Sequence, residues 1–287
     1  MNIAIVTDDN AGFTQKEAKD LGIHIIKMPI LIDGECFFEN QNITEDEFYD
    51  RLYKIENVHT SQPSPGELIS LWTKLLEKYD AVLHIPMSSG LSTSTQSAQM
   101  IAEDFKDKVF VVDNHRISYS LKDSVIEAKA LADRGDTPIQ IKKQLESEMN
   151  NCSSYIMLDT LKYLKRGGRV TAAGAAVAST LHIKPILAIN GYKLDAKVKA
   201  IGTKNAKKAI IDCVNEDLNT KFKGASKNDL YFHIHYTHNI EEAKQFMEEV
   251  RLAFAPEHID MCPLSESVAV HIGPGSLAII VTYMPLI

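Results

Sequence analysis

Residues 81–113 read AVLHIPMSSGLSTSTQSAQMIAEDFKDKVFVVD. An apolar run, AVLHIPM, is followed by a loop of hydroxyls and glycine, then by a segment with helical spacing, then by a second apolar run, VFVVD. Short β-branched runs separated by a helix of this length predict a βαβ crossover, and with it a parallel sheet covered on both faces. IAIVTD at residues 3–8 supplies another buried strand, ending in Asp8 and Asp9. In such sheets ligands sit beyond the carboxyl ends of the strands, where the polar loops after AVLHIPM and after VFVVD lie.

Working outward, IHIIKMPILIDGECFF (23–38) predicts an extended stretch turning at Asp33-Gly34. Thr44 and Glu47 form a capping box ahead of EDEFYDRLYKI, and Leu68, Leu71, Leu75 and Leu76 carry helical spacing after a proline-rich loop. Helices follow over SLKDSVIEAKALADRG and over a segment opened by Pro138. From Cys152 onward the pattern changes: SSYIMLDTL, KPILAINGYKLDAKVKAIG and LYFHIHYT predict a mixed sheet, with Asn190-Gly191 as a hairpin turn, TAAGAAVASTL as a helix of small residues, and VAVHIGPGS as an extended segment. The expectation is an α/β protein of two domains: an N-terminal α/β/α domain with a mainly parallel sheet over 1–151, and a smaller C-terminal α/β domain with a mixed sheet over 152–287.

Of the 287 residues, 45% are hydrophobic and 24% charged, which excludes a disordered or low-complexity chain. The net charge of −7 leaves no overall field to attract nucleic acid or an anionic membrane. Four scattered cysteines, an opening without a basic n-region, and no apolar run of about 20 residues together predict a cytoplasmic chain without stable membrane insertion.

Three loops concentrate chemistry: Thr60-Ser61-Gln62-Pro63-Ser64-Pro65-Gly66, the Ser88–Thr95 run that includes Ser89, Gly90, Ser92 and Thr93, and His271-Ile272-Gly273-Pro274-Gly275. Hydroxyls and unpaired N–H groups at helix starts suit an anion, and they equally suit caps and turns. Lys162, Lys165, Arg166 and Arg169 form a basic run, either a solvated face or a dock for phosphate or an acidic partner, with Gly167-Gly168 breaking the helix and exposing Arg169. His233, His235 and His238 have some look of a metal cluster, but the absence of a nearby acidic or cysteine partner favours a structural role, so no metal and no other cofactor is expected. Asp8, Asp9 and Asp113 read as acceptors for loop N–H groups rather than catalytic carboxylates. No GxGxxG follows a strand and no GxxxxGK[ST] occurs, so the chain is not expected to bind nucleotide by itself.

IAIVTD, TSQPSPGE, SSGLS followed by QSA, VVD, LKYLKRGGRV, KPIL and HIGPGSL occur in this order from end to end, and the sequence thereby resembles the DegV family of bacterial fatty-acid-binding proteins. The resemblance implies one long-chain fatty acid between two α/β domains, its tail in an apolar tunnel. It places the carboxylate among Thr60, Ser61, Ser89, Gly90, Ser92, Thr93, His271 and Gly273, with hydroxyls and a ring N–H of His271 as donors. It also implies a separate ATP-dependent kinase that converts the carboxylate to an acyl phosphate, with Arg166 and Arg169 contacting that partner or the phosphate. On this reading no residue is catalytic. Thr93, Asn114, Ser120, Lys122 and Ala278 depart from the residues common in the family. The alternative is an acyl hydrolase with Ser92 as nucleophile and His271 as base.

Overall fold

The structure, a computed structural model, describes residues 1–55, 57–169, 183–189 and 193–285. The first sheet is built from β1 (Ile3–Asp8), β2 (Ile23–Ile26), β6 (Ala81–Ile85) and β7 (Val109–Val111), all parallel, in the order β2-β1-β6-β7. Its strands are buried on both faces, and alternate residues of β1 show why. Ile3 and Ile5 pack against α5 (Ser118–Arg134) and α6 (Pro138–Ser147), while Ala4 and Val6 pack against α3 (Pro65–Leu76) and α4 (Ser94–Ala102). This is the expected α/β/α arrangement.

The helix starts follow local chemistry. Thr44, Ser64 and Thr137 each accept from the N3 backbone N–H, while the N3 side chain reaches back to the cap. The hairpin at Asp33-Gly34 is present as β3 (Ile30–Ile32) and β4 (Glu35–Phe37), with both turn residues at positive φ. The long extended stretch is, however, divided between two sheets. β2 joins the parallel sheet, and β3 instead pairs with β4 and with β5 (Val58–Thr60) in a small antiparallel sheet.

The third sheet is mixed and six-stranded, from β8 (Cys152–Met157), β9 (Ile183–Ile189), β10 (Leu194–Ile201), β11 (Leu230–Tyr236), β12 (His258–Pro263) and β13 (Leu277–Tyr283), in the order β10-β9-β8-β13-β11-β12. One face, with Tyr155, Phe232, Ile234 and Ile279, packs on α8 (Thr203–Asn219) and α9 (Ile240–Phe254). The other carries Ser154, Ile156, Ala278, Ile280, His233 and His235 and turns toward the first sheet's loops and α5. The small-residue helix expected at 171–181 and the turn at Asn190-Gly191 lie outside the described residues.

VAVHI is a helix, not an extended segment: α10 (Glu266–Ile272) starts at Ser265, whose hydroxyl accepts from the Val268 N–H. Its alternation misleads because the helix is apolar on two sides. Ala269 and Val270 pack against the small sheet and α2 (Glu45–Lys54), and Ile272 packs against Ile156 and Ala278.

The histidines of β11 are structural and join the two halves. His233 donates Nε2 to Asp123 Oδ2 of α5 at 2.9 Å and Nδ1 to Asp260 Oδ1 of β12 at 2.7 Å. Burial alone would lower its pKa, but the Asp123 carboxylate, then Asp260, overcomes this and lifts it to about 9. The ring is therefore an imidazolium at neutral pH. His235 and Tyr119 lie beside it, with Cys262 against His235 and Lys122 bound to Glu17. His235 is neutral, its pKa pushed down to about 3 by burial and by His233. His238 stacks on Tyr49 and bonds Tyr53. Among the described residues no group of three or more His, Cys, Asp or Glu side chains is arranged to hold a metal ion, and no helix is long and apolar enough to cross a membrane.

A raised histidine pKa stabilises the fold below about pH 6.5 and ceases to do so as pH climbs through about 9. Asp123→Asn is accordingly expected to cost about 3 kcal/mol in urea unfolding at pH 6. The cost shrinks at pH 9.5, whereas an equal loss at both pH values would contradict a charged clasp.

Candidate functional site

A cavity of about 400 Å³ lies where the loops of the parallel sheet meet the inner face of the mixed sheet. The expected Thr60, Ser61, Ser92, Thr93 and His271 all line it, although they come from three separate segments: the end of β5, the loop before α4 and the end of α10. Gln62, which sequence reasoning passed over, ties two of those segments together. Its Oε1 accepts from Thr93 Oγ1 at 3.0 Å and from Ser97 Oγ at 2.9 Å. Thr93 thus links the two segments. The end of α10 is joined to them by a 2.7 Å hydrogen bond between Thr60 Oγ1 and His271 Nε2.

The state of that imidazole follows from its surroundings. Burial, then the charges of Arg169, Arg166 and His59, push its pKa down to about 4, so the ring is neutral at pH 7. Nδ1 is buried without a hydrogen-bond partner and faces Gly167 so closely that a Cβ there would stand 2.4 Å from it. A proton on Nδ1 would be an orphaned buried donor, so it belongs on Nε2. His271 then donates to Thr60 Oγ1, and the threonine hydroxyl keeps its own proton for a group in the cavity. The ring N–H expected to meet a ligand directly reaches it through Thr60.

Arg169 also lines the cavity. It is half-buried rather than exposed, since Gly168, at φ 67°, turns the chain back after α7 (Lys162–Gly167). Its Nη1 donates to Gly167 O at 2.6 Å and its Nε to Leu91 O at 3.4 Å. On the other side of the Thr60–His271 pair is a chamber of about 70 Å³ lined by His59, Arg166, Arg169 and Val270, among others. Ser89, Gly90 and Gly273 do not line the main cavity. The Ser89 N–H donates to Asp113 Oδ1 at 3.4 Å and the Gly90 N–H to Ser88 Oγ at 3.2 Å. Gly273, at φ 78°, lies where a Cβ would strike the Tyr163 ring. Asp8 and Asp9 are loop acceptors, taking the N–H groups of Met87 and Met28.

The remainder of the wall is mainly apolar, with Asn10, Ser118, Ser154 and Ser267 as its polar members. Met28, Met87 and Leu91 line it on one side, and Ile156, Ala278 and Ile280 on the other, the last three from alternate positions of β8 and β13. A period of two along those strands was the available signal, but it does not distinguish a cavity wall from a packed core. Polar groups therefore converge at one end of an apolar cavity, as in sites for amphipathic ligands.

A family model described as "Uncharacterised protein, DegV family" matches residues 2–283. The chain belongs to the DegV family. It is 30% identical to Protein DegV of Bacillus subtilis over 97% of this chain and 98% of the relative. Among solved structures, a DegV-family protein from Thermus thermophilus described by its fatty acid binding superposes with a TM-score of 0.90 at 26% identity, covering 99% of this chain and 100% of that one. DegV of Bacillus subtilis, described as a fatty acid binding protein, superposes at 0.85 with 29% identity and 99% coverage of both. The parallel first sheet and the mixed third sheet are thus those of this DegV fold.

The pKa of His271 offers a test of the head-end geometry. In ¹⁵N spectra the ring is expected to stay neutral with its proton on Nε2 down to about pH 5, titrating near 4. Gly167→Ala, which forces the ring to move, brings the midpoint back toward 6.5. A wild-type midpoint near 6.5 would contradict the arrangement.

Proposed function

We propose that this DegV-family chain is a cytoplasmic carrier that binds one long-chain fatty acid between an N-terminal domain (1–151) and a C-terminal domain (152–287), and presents its carboxylate to a separate ATP-dependent kinase. The observation that carries this reading is the polarity of the cavity, with Thr60, Ser61, Ser92, Thr93 and Arg169 at one end of an apolar wall. The fatty-acid-binding relatives of the same fold support it. A buried chain of about sixteen carbons gains on the order of 12 kcal/mol before the costs of association, enough to retain the ligand through purification.

The carboxylate takes hydrogen bonds from the Thr60 and Ser92 hydroxyls, with His271 fixing the first of these. Neutral donors hold an anion without neutralising it, so one carboxylate oxygen remains nucleophilic toward the γ-phosphorus of kinase-bound ATP. ADP leaves, and the acyl phosphate stays on the carrier. The small chamber lined by Arg166 and Arg169 lies beside this end and suits the transferred phosphate. The chain on this reading carries no catalytic residue for turnover alone. An acyl hydrolase with Ser92 and His271 receives no support: Nε2 of His271 is engaged by Thr60, and among the described residues no carboxylate orients Nδ1.

Ser92→Ala and Thr60→Val are each expected to weaken hexadecanoate binding about tenfold, read by competition against a fluorescent fatty acid. Arg169→Ala retains lipid within about threefold and lowers kinase-dependent acyl phosphate formation about a hundredfold. Unchanged binding in both hydroxyl variants would overturn the head-group assignment.

A further inference from the structure

The acyl cavity abuts a second cavity of about 300 Å³, and Ile117, Ser154 and Ile189 line both. The register of β8 and β13 gives the direction. Ala278 pairs with Ile156, Ile280 with Ser154, and Thr282 with Cys152. Ala278 and Ile156 pack on Ile272 beside the head group. From there to Thr282 the strand runs roughly 13 Å away from His271. The second cavity lies at this far end.

Its lining is of a different chemistry. Beyond the shared Ile117 and Ile189 it presents His115, Ser120, Met149, Asn150, Cys152 and Lys221. Lys221 Nζ donates to Cys152 O and, at 3.3 Å, to Ser153 Oγ. Among the described residues these are its only hydrogen-bond acceptors, and both are neutral. Thr282, on the same strand face two residues beyond Ile280, keeps a fully buried hydroxyl without a partner among the described residues. A methyl-ended chain leaves the polar part of this chamber unused, touching only Ile117, Met149 and Ile189 there. A chain ending in oxygen meets an ammonium and several hydrogen-bonding groups.

We propose that this chamber is a second polar subsite, which receives the far end of a long-chain fatty acid bearing a terminal carboxylate or hydroxyl. The inference rests on the fatty-acid reading above. It assigns to the chain a ligand class of α,ω-diacids and ω-hydroxy acids alongside ordinary fatty acids, with Lys221 as the recognising cation for the diacids.

The test uses the full chain stripped of lipid, with competition binding of hexadecanoic acid, 16-hydroxyhexadecanoic acid and hexadecanedioic acid. A closed apolar tunnel would penalise a terminal oxygen about thirtyfold or more, since the buried polar group would go unpaired. The open polar chamber predicts that both oxygenated acids bind within about fivefold of hexadecanoic acid. It also predicts that Lys221→Met weakens the diacid about fivefold while leaving hexadecanoic acid unchanged. A larger loss for both oxygenated acids, or a Lys221→Met variant with the wild-type ratio of diacid to monoacid, overturns the subsite while the fatty-acid reading stands. Failure of hexadecanoic acid itself to bind overturns that reading and the subsite with it.

Discussion

A mainly apolar cavity between two packed sheets needs walls held apart by something other than apolar packing, because apolar surfaces left to themselves close up. Here the span is set by polar bridges. The His233 imidazolium is fixed between Asp123 of α5 and Asp260 of β12, so the mixed sheet sits at a defined distance from the parallel one. Asn10 Oδ1, in the loop after β1, accepts from both Ser265 and Ser267 at the start of α10. The Thr60–His271 bond closes the same seam at the head end. Each bridge is directional, and each is buried enough that breaking it leaves a costly unpaired group. The cavity thus depends on hydrogen bonds made within the protein itself.

The head end is built on neutral donors where a buried cation would have bound an anion more tightly. A carboxylate leaving water needs several donors, and an arginine clamp supplies them at once. In this chain the guanidinium of Arg169 is drawn to the carbonyls of Gly167 and Leu91, and hydroxyls face the cavity. Burial, then the neighbouring guanidinium charges, keep His271 neutral, which leaves Thr60 as a donor across the whole physiological range. Such a site suits a ligand that must be held and also remain reactive.

Much of the fold was legible because its signals are local. Thr44 with Glu47, Pro138 at a helix start and Asp33-Gly34 at positive φ need only their immediate neighbours. The hydroxyl loops were legible as polar clusters at strand ends, and Thr60, Ser61, Ser92, Thr93 and His271 meet in one cavity. What failed was tertiary. VAVHI alternates like a strand, yet it is a short helix whose two sides meet different cores. Arg169 follows two glycines and was expected to be exposed, but the left-handed turn at Gly168 folds it inward. Gln62 looked like loop filler because its role is to bridge to Thr93 and Ser97, more than thirty residues away. The apolar wall had no signature of its own, since Ile156 and Ile280 look like any core strand residues.

The central claim, one fatty acid per chain, is tested most directly by native mass spectrometry of the purified protein before any lipid is removed, followed by solvent extraction. The account predicts a single stoichiometric adduct whose extracted mass is that of a long-chain fatty acid. An adduct-free protein that takes up neither hexadecanoate nor oleate on incubation would contradict it.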